Sequence, residues 1–389
     1  MRSFRIGSAF GIPIKLDVTF LLILPVFAYL IGTQVELWTD TLNAVPFDAG
    51  LDTAALTAGN TEWVLGAVAA VGLFLSVVLH ELGHSLVAMR YGFPIDSITL
   101  WLLGGIASLS EQPEEWSQEL FIAIAGPVVS IALGAVSYVA LLALPDALTL
   151  VRFVFGYLAL MNVALAAFNL LPGFPMDGGR VLRALLARRR SFARATQIAA
   201  EVGKAFALVL GIIGLIGFNL ILIAVAFFIY IGASGEAQRT VMNAAFQDVS
   251  VEDVMTPAED VHTVEATASV AELMERMFEQ RHTGYPVTRD GDVVGMVTLD
   301  DARSVNQVER DAIRVEDVMT REVHSIPRFS NAMDAIDALQ EHGIGRLVVV
   351  DADGEMAGLI SRTDLMTAFD IIQSTGATGA SPPVDARID

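Results

Sequence analysis

A chain of 389 residues that is 54% hydrophobic, with a mean hydropathy of +0.57, is too apolar for an ordinary soluble protein and calls for membrane-crossing segments. The absence of cysteine excludes disulfides, thiolate metal ligands and a cysteine nucleophile, so any metal must be held by His, Asp or Glu. The formal charge of −20 is uneven: from Gln247 onward 28 acidic residues outweigh 11 basic ones, a surface that repels nucleic acid and anionic lipid.

The chain opens on a polar-mixed stretch, Met1 to Asp17. The apolar run behind it lacks a small-residue cleavage motif, so no cleaved leader is expected. Six apolar segments follow, near residues 18–33, 63–91, 119–144, 150–171, 198–217 and 219–234. A crossing helix needs about 20 apolar residues, which leaves the first and last short. The last two can form one hairpin turning at Gly217-Phe218-Asn219.

Lysine and arginine set the orientation. The stretch Thr33–Glu62 has neither, whereas Arg2, Arg5 and Lys15 precede it and Arg183, Arg188, Arg189 and Arg190 lie far beyond it. The positive-inside rule then puts the N-terminus and the Arg180–Arg194 stretch inside, and with six spans the C-terminal part as well.

The second apolar segment carries the chemistry. His80-Glu81-Leu82-Gly83-His84 holds the only two histidines before the soluble part. Residues four apart share a helix face, so both imidazoles can reach one ion, and Glu81 between them can take a proton from a water at that ion. Three ionisable groups at that depth are too costly to be idle. Two imidazoles and a carboxylate with an open fourth position suit zinc. From Trp63 to His80 is roughly 24 Å of helix, which puts the metal toward the inner face.

Asp96–Ser110 is apolar, short and rich in β-branched residues and glycine, and reads as a hairpin or re-entrant segment. Gly104-Gly105 within it can pair with an extended substrate as an added strand, or be a simple packing turn. Glu111, Glu114 and Glu115 read as a solvated loop.

A third ligand must be a carboxylate, and the best placed is Asp177. It follows Asn169-Leu170-Leu171-Pro172-Gly173-Phe174-Pro175-Met176 and precedes Gly178-Gly179, where proline and glycine break the helix. Asn169 can hold a substrate carbonyl or the oxyanion, or make a polar contact between helices.

After the apolar part the sequence repeats itself. Val251-Glu252-Asp253-Val254-Met255-Thr256 returns as Val315-Glu316-Asp317-Val318-Met319-Thr320, and Gly295-Met296-Val297-Thr298 as Gly358-Leu359-Ile360-Ser361. Each copy has a helical stretch (Ser269–Gln280, Asn331–Glu341), an apolar strand and an Asp-Gly turn, a tandem α/β module. The expected organisation is a membrane domain over 1–240, modules over 248–310 and 311–372, and a disordered tail over 373–389.

The two membrane motifs, His80-Glu81-x-x-His84 and Asn169-x-x-Pro172-x-x-Pro175-x-Asp177-Gly178, resemble those of the site-2 protease family of intramembrane metalloproteases, peptidase family M50, over about residues 1–235. The resemblance implies one zinc held by His80, His84 and Asp177, Glu81 as catalytic base and Asn169 assisting the tetrahedral intermediate. It also implies about six membrane helices, a multi-pass protein of the cell membrane, and a single-span membrane protein as substrate. The repeated module resembles a pair of CBS domains over about 248–372. In that family the Gly-h-h-Ser/Thr-x-x-Asp run binds adenine nucleotides, which points to Thr298 with Asp301 and Ser361 with Asp364. It further implies a cytoplasmic regulatory unit and homodimers. A cation transporter gated by the CBS pair is the alternative, but transport should spread polar groups along several spans, and here they concentrate in two motifs.

Overall fold

The computed structural model describes residues 3–44, 47–101, 104–109, 113 and 115–376. It divides into two units, Met1–Gln238 and Arg239–Asp389.

The polar-mixed start of the first unit is a hairpin. β1 (Ser3–Ala9) and β2 (Ile12–Asp17) turn at Phe10-Gly11, both at positive φ, where glycine meets no Cβ penalty. β2 pairs in parallel with β3 (Ile95–Trp101), and β3 pairs antiparallel with β4 (Gly104–Leu109), in the order β1-β2-β3-β4. The described part of Asp96–Ser110 thus pairs as a hairpin, one of the two readings the sequence left open, and it docks on the β1–β2 hairpin from the start of the chain. Leu102, Leu103, Ser110, Glu111 and Glu114 lie outside the described residues.

Each of the six apolar segments contains a helix. α1 (Val18–Thr33) starts where the Asp17 carboxylate accepts from Thr19 N at 2.9 Å, and is followed after a 61° bend by α2 (Val35–Asn43). Short α3 (Thr53–Leu56) leads to α4 (Thr61–Arg90), α5 (Trp116–Ala143) and α6 (Thr149–Asn169). Then come α7 (Asp177–Ala187), α8 (Phe192–Ile216) and α9 (Leu220–Ala245). Five of these, α4, α5, α6, α8 and α9, are long and apolar enough to cross a membrane, and the bent pair α1–α2 makes a sixth if it is one span. α8 and α9 break at Gly217-Phe218-Asn219, where Asn219 Oδ1 accepts from Leu222 N at 3.0 Å. α9 outruns its apolar segment because the helix continues through polar residues to Ala245.

Small residues let the helices approach. A Cβ on Gly66 of α4 would stand 3.0 Å from the Cα of Gly32 on α1, and one on Gly83 would stand 3.0 Å from the Ala125 carbonyl on α5. The loop between α1 and α4 is not a bare connection: Leu42 and Leu56 are fully buried with Phe153 and Tyr157 of α6.

In the second unit, the first copy runs α10 (Val251–Val254), β5 (Thr256–Pro257), β6 (Val264–Glu265), α11 (Val270–Gln280), β7 (Gly284–Arg289), β8 (Asp292–Thr298) and α12 (Leu299–Arg303). The second runs α13 (Val315–Val318), β9 (Ser325–Pro327), α14 (Ala332–Glu341), β10 (Arg346–Val350), β11 (Met356–Ser361) and α15 (Arg362–Gly376). α15 covers residues 373–376, the first part of the expected tail, and residues 377–389 lie outside the description. The sheets, β6-β7-β8 and β5-β11-β10-β9, exchange an edge: β5 of the first copy joins the sheet of the second, and Thr320 of the second bridges Met296 of the first. This explains why both marks repeat. A Cβ on Gly295 would collide with Thr320 O at 2.9 Å, and one on Gly358 with Met255 Sδ at 2.9 Å, so each copy's glycine makes room for the other copy's Val-Met-Thr.

Candidate metal centre

His80 and His84 are 3% and 4% exposed, on the face of α4 that meets α5. Their outer nitrogens are engaged: His80 Nδ1 hydrogen-bonds Ser130 Oγ at 2.8 Å, and His84 Nδ1 donates to the Ile122 carbonyl at 2.7 Å, both partners on α5. That leaves both Nε2 atoms turned inward, 3.2 Å apart, each 3.1 Å from Asp177 Oδ2. The three candidate ligands expected from sequence are therefore brought together across 97 residues.

The donor set fits a cation. Because a carbonyl only accepts, the neutral His84 ring carries its proton on Nδ1 and presents an Nε2 lone pair to a carboxylate oxygen. Such a pair repels unless a positive charge lies between. A tetrahedral zinc with ligand bonds of 2.0–2.1 Å has ligand–ligand edges of about 3.3 Å, close to the spacing of the three atoms. Among the described residues this is the one cluster of three His, Asp or Glu donors that could hold a metal. Backbone walls the space: a Cβ on Gly126 of α5 would overlap His84 Nε2 and stand 2.6 Å from His80 Nε2. Hydrogen bonds to both Nδ1 atoms fix ring orientation and tautomer.

Asp177 is the first residue of α7, where a carboxylate also meets the positive end of the helix. The loop before it is tightly seated. Gly178 leaves no space for a side chain, since a Cβ would lie 2.5 Å from Leu170 C. Gly173 faces the backbone of Gly203 on α8, and the Pro175 ring rests 2.8 Å from where a Cβ on Gly232 of α9 would be.

Glu81 lies next to β4. A Cβ on Gly105 would overlap Glu81 Cγ and lie 3.1 Å from Cδ, so an edge strand of the sheet touches the candidate base directly. Gly105→Ala is expected to push the carboxylate aside and lower the turnover number by at least 10-fold with zinc content unchanged, because a small misplacement of a reacting group is costly. Unchanged turnover in that variant would remove the contact from the mechanism. Asn169 ends α6, half-buried, eight residues before Asp177.

In the second unit a cleft of about 570 Å³ opens between the copies, lined by Thr283, Thr298, Asp300, Glu322, His324 and Arg346 among others. Thr298 is on its wall. Asp301 is turned back: its Oδ2 accepts from Thr298 N at 2.8 Å and Oγ1 at 2.6 Å, a capping box that starts α12. Ser361 and Asp364 repeat this geometry at 2.8 and 2.7 Å at the start of α15. Arg346 Nη2 donates to Thr283 Oγ1 at 3.0 Å; burial draws its guanidinium below the usual value, opposed by the nearby Asp364.

Sequence reasoning missed Ser130, the Ile122 carbonyl and Gly126. The Gly126-Pro127 pair and a serine, Ser130, inside an apolar segment were the available signals. A backbone carbonyl offers none.

The profile of peptidase family M50 matches residues 68–152 and 146–210, and that of the CBS domain matches 251–306 and 315–371. A zinc metalloprotease of Methanocaldococcus jannaschii is 34% identical over 381 residues, which cover 95% of this chain and 97% of that protein. Among solved structures, the site-2 protease from Methanocaldococcus jannaschii is 38% identical, covers 61% of this chain and 95% of its own, with a TM-score of 0.42. CBSX2 in complex with AMP is 31% identical, covering 32% of this chain and 98% of its own, with a TM-score of 0.29. An end-to-end match to a metalloprotease disfavours the cation-transport alternative.

Proposed function

The chain belongs to peptidase family M50, as a zinc metalloprotease with a C-terminal CBS pair, and from that premise we propose that it cuts single-span membrane proteins within the bilayer under control of an adenine nucleotide. The observation that carries the proteolytic site is the convergence of His80 Nε2, His84 Nε2 and Asp177 Oδ2 at 3.1–3.2 Å beside Glu81. These three residues would hold the zinc, which when bound supplies a Lewis acid that polarises a peptide carbonyl and acidifies water.

The protein's own groups do the rest. Glu81 takes the proton of the attacking water and delivers it to the leaving amine. Asn169 donates from its side-chain amide to the oxyanion. The free edge of β4, at Gly104 and Gly105, receives the substrate as an added strand, which keeps its backbone extended at the carbonyl to be cut. Gly105 is what lets that edge reach Glu81.

We read the first unit as a multi-pass protein of the cell membrane with the N-terminus and the CBS pair cytoplasmic, a reading supported by the apolar helices and the charge asymmetry. Nucleic acid is no partner for so acidic a surface. In the second unit the cleft beside Thr298 is the binding place for the nucleotide, with Asp301 accepting from ribose through its second oxygen; Ser361 and Asp364 offer the repeat-related position. Pairing of CBS units makes the protein a homodimer, which light scattering of the detergent-purified protein would register.

The test is cleavage of a single-span substrate by the full chain in liposomes: activity with zinc, none after chelation, and return on adding zinc back. Failure to cleave with zinc bound near one per chain would sink the proteolytic assignment to this substrate class. For the regulatory part, AMP or ATP at 100 times its dissociation constant should stabilise the protein by about 2.7 kcal/mol. A melting curve unmoved by millimolar AMP, ADP and ATP would remove adenine nucleotides as ligands.

A further inference from the structure

Arg183 is a charged side chain only 5% exposed, and its surroundings are built for it. Glu119 of α5, 2% exposed, accepts from Arg183 Nε at 2.6 Å and pairs with Nη2. Glu236 of α9 accepts from Nη1 at 2.7 Å. The guanidinium also lies over two rings, Phe174 at 4.9 Å and Phe192 at 4.5 Å. Phe174 belongs to the loop that delivers Asp177.

The position of this clamp matters more than its strength. Glu119 is three residues before Ile122, whose carbonyl orients His84, and on the same helix as Ser130, which orients His80. Arg183 is six residues after Asp177 on α7. The ion pair therefore joins the helix that aims both imidazoles to the helix that carries the carboxylate. Apolar contact alone tolerates sliding between two helices. A guanidinium whose Nε and Nη2 both converge on Glu119 Oε1 while Nη1 holds Glu236 Oε1 resists that sliding, because its planar group is held from two sides by two helices.

We propose that Arg183, clamped between Glu119 and Glu236, is a positioning residue for the zinc site, setting the distance of Asp177 from the two imidazoles. The inference rests on the reading that His80, His84 and Asp177 hold zinc. A purely structural role is the rival, and a charge-balanced variant separates the two. Arg183→Met alone strands a buried carboxylate and is expected to destabilise the protein. Glu119→Gln with Arg183→Met removes both charges, so it should regain the melting temperature but not the metal geometry. Arg183→Lys keeps the charge and loses the planar group.

The experiment is zinc affinity of the detergent-purified full chain, by competition with a chelator, together with the visible spectrum of the cobalt-loaded protein. Arg183→Lys and the double variant should each bind zinc about 10–100-fold more weakly, the range for residues that support a ligand, and show altered cobalt bands. If either variant, folded by circular dichroism, keeps wild-type affinity and cobalt spectrum, the proposal is overturned. If the double variant does not fold, Arg183→Lys decides alone. Asp177→Ala is run beside them: should it bind zinc as tightly as wild type, the zinc-site reading fails rather than the positioning role.

Discussion

Glu81→Gln is expected to end proteolysis while leaving the zinc in place. The amide has the size and shape of the carboxylate, so its contact with Gly105 and the seat of β4 are undisturbed. It has no basicity, and loss of a positioned general base costs typically 10²–10⁴ in rate. The three converging donors do not include Glu81, so metal content should stay near one per chain. The measurement is the turnover number on a single-span substrate, paired with metal analysis of the same preparation. A Gln variant that cleaves at the wild-type rate would move the base elsewhere. One that loses its zinc would make Glu81 a ligand.

Asp177→Ala should fail one step earlier, at metal binding. What remains is two imidazoles 3.2 Å apart, a pair with no anionic donor. Loss of a direct ligand should exceed the 10–100-fold cost of losing a supporting residue, so zinc affinity is expected to fall by more than about 100-fold, and activity with it. Asp177→Glu tests the seating of the loop. With Gly173, Pro175 and Gly178 all in tight contact, the backbone cannot retreat to admit an extra methylene. The longer acid should therefore bind zinc poorly as well. Full zinc binding in the Ala variant would mean that the third donor is some other group.

The consequences of these substitutions differ because the residues sit on different supports. His80 and His84 share one helix, and a periodicity of 3.6 residues aligns them whatever else the chain does. Asp177 depends on a loop wedged between α7, α8 and α9, so its place is a property of the bundle. Glu81 shares the helix of the histidines, yet its partner Gly105 comes from a sheet whose strands are drawn from residues 3–17 and 95–109.

Much of this was legible beforehand. The six apolar segments each became a helix, and the turn at Gly217-Phe218-Asn219 was marked by its residues. The two copies of the module were visible as text, since duplicated strands and turns need duplicated residues. The β1–β2 hairpin went unread although Ile12-Pro13-Ile14-Lys15-Leu16-Asp17 alternates apolar and polar residues after the Phe10-Gly11 turn, and its pairing with β3 is decided by docking. The CBS resemblance assigns Asp301 and Asp364 to ribose, and each also caps its own helix, a local hydrogen bond that the pattern equally serves.

Sequence by itself determined the chemistry available: with no cysteine and two histidines in the apolar part, a metal could only be met by His80, His84 and a carboxylate. It also determined the face the imidazoles share, because that spacing is local. The proline–glycine break marked Asp177 as the carboxylate, but only the tertiary structure brings it to the imidazoles, turns the rings inward through Ser130 and the Ile122 carbonyl, sets Gly126 against both Nε2 atoms, and ties α7 to α5 through Arg183. Those depend on how closely distant helices approach, and that distance is set by packing across the whole bundle rather than by any short stretch of chain.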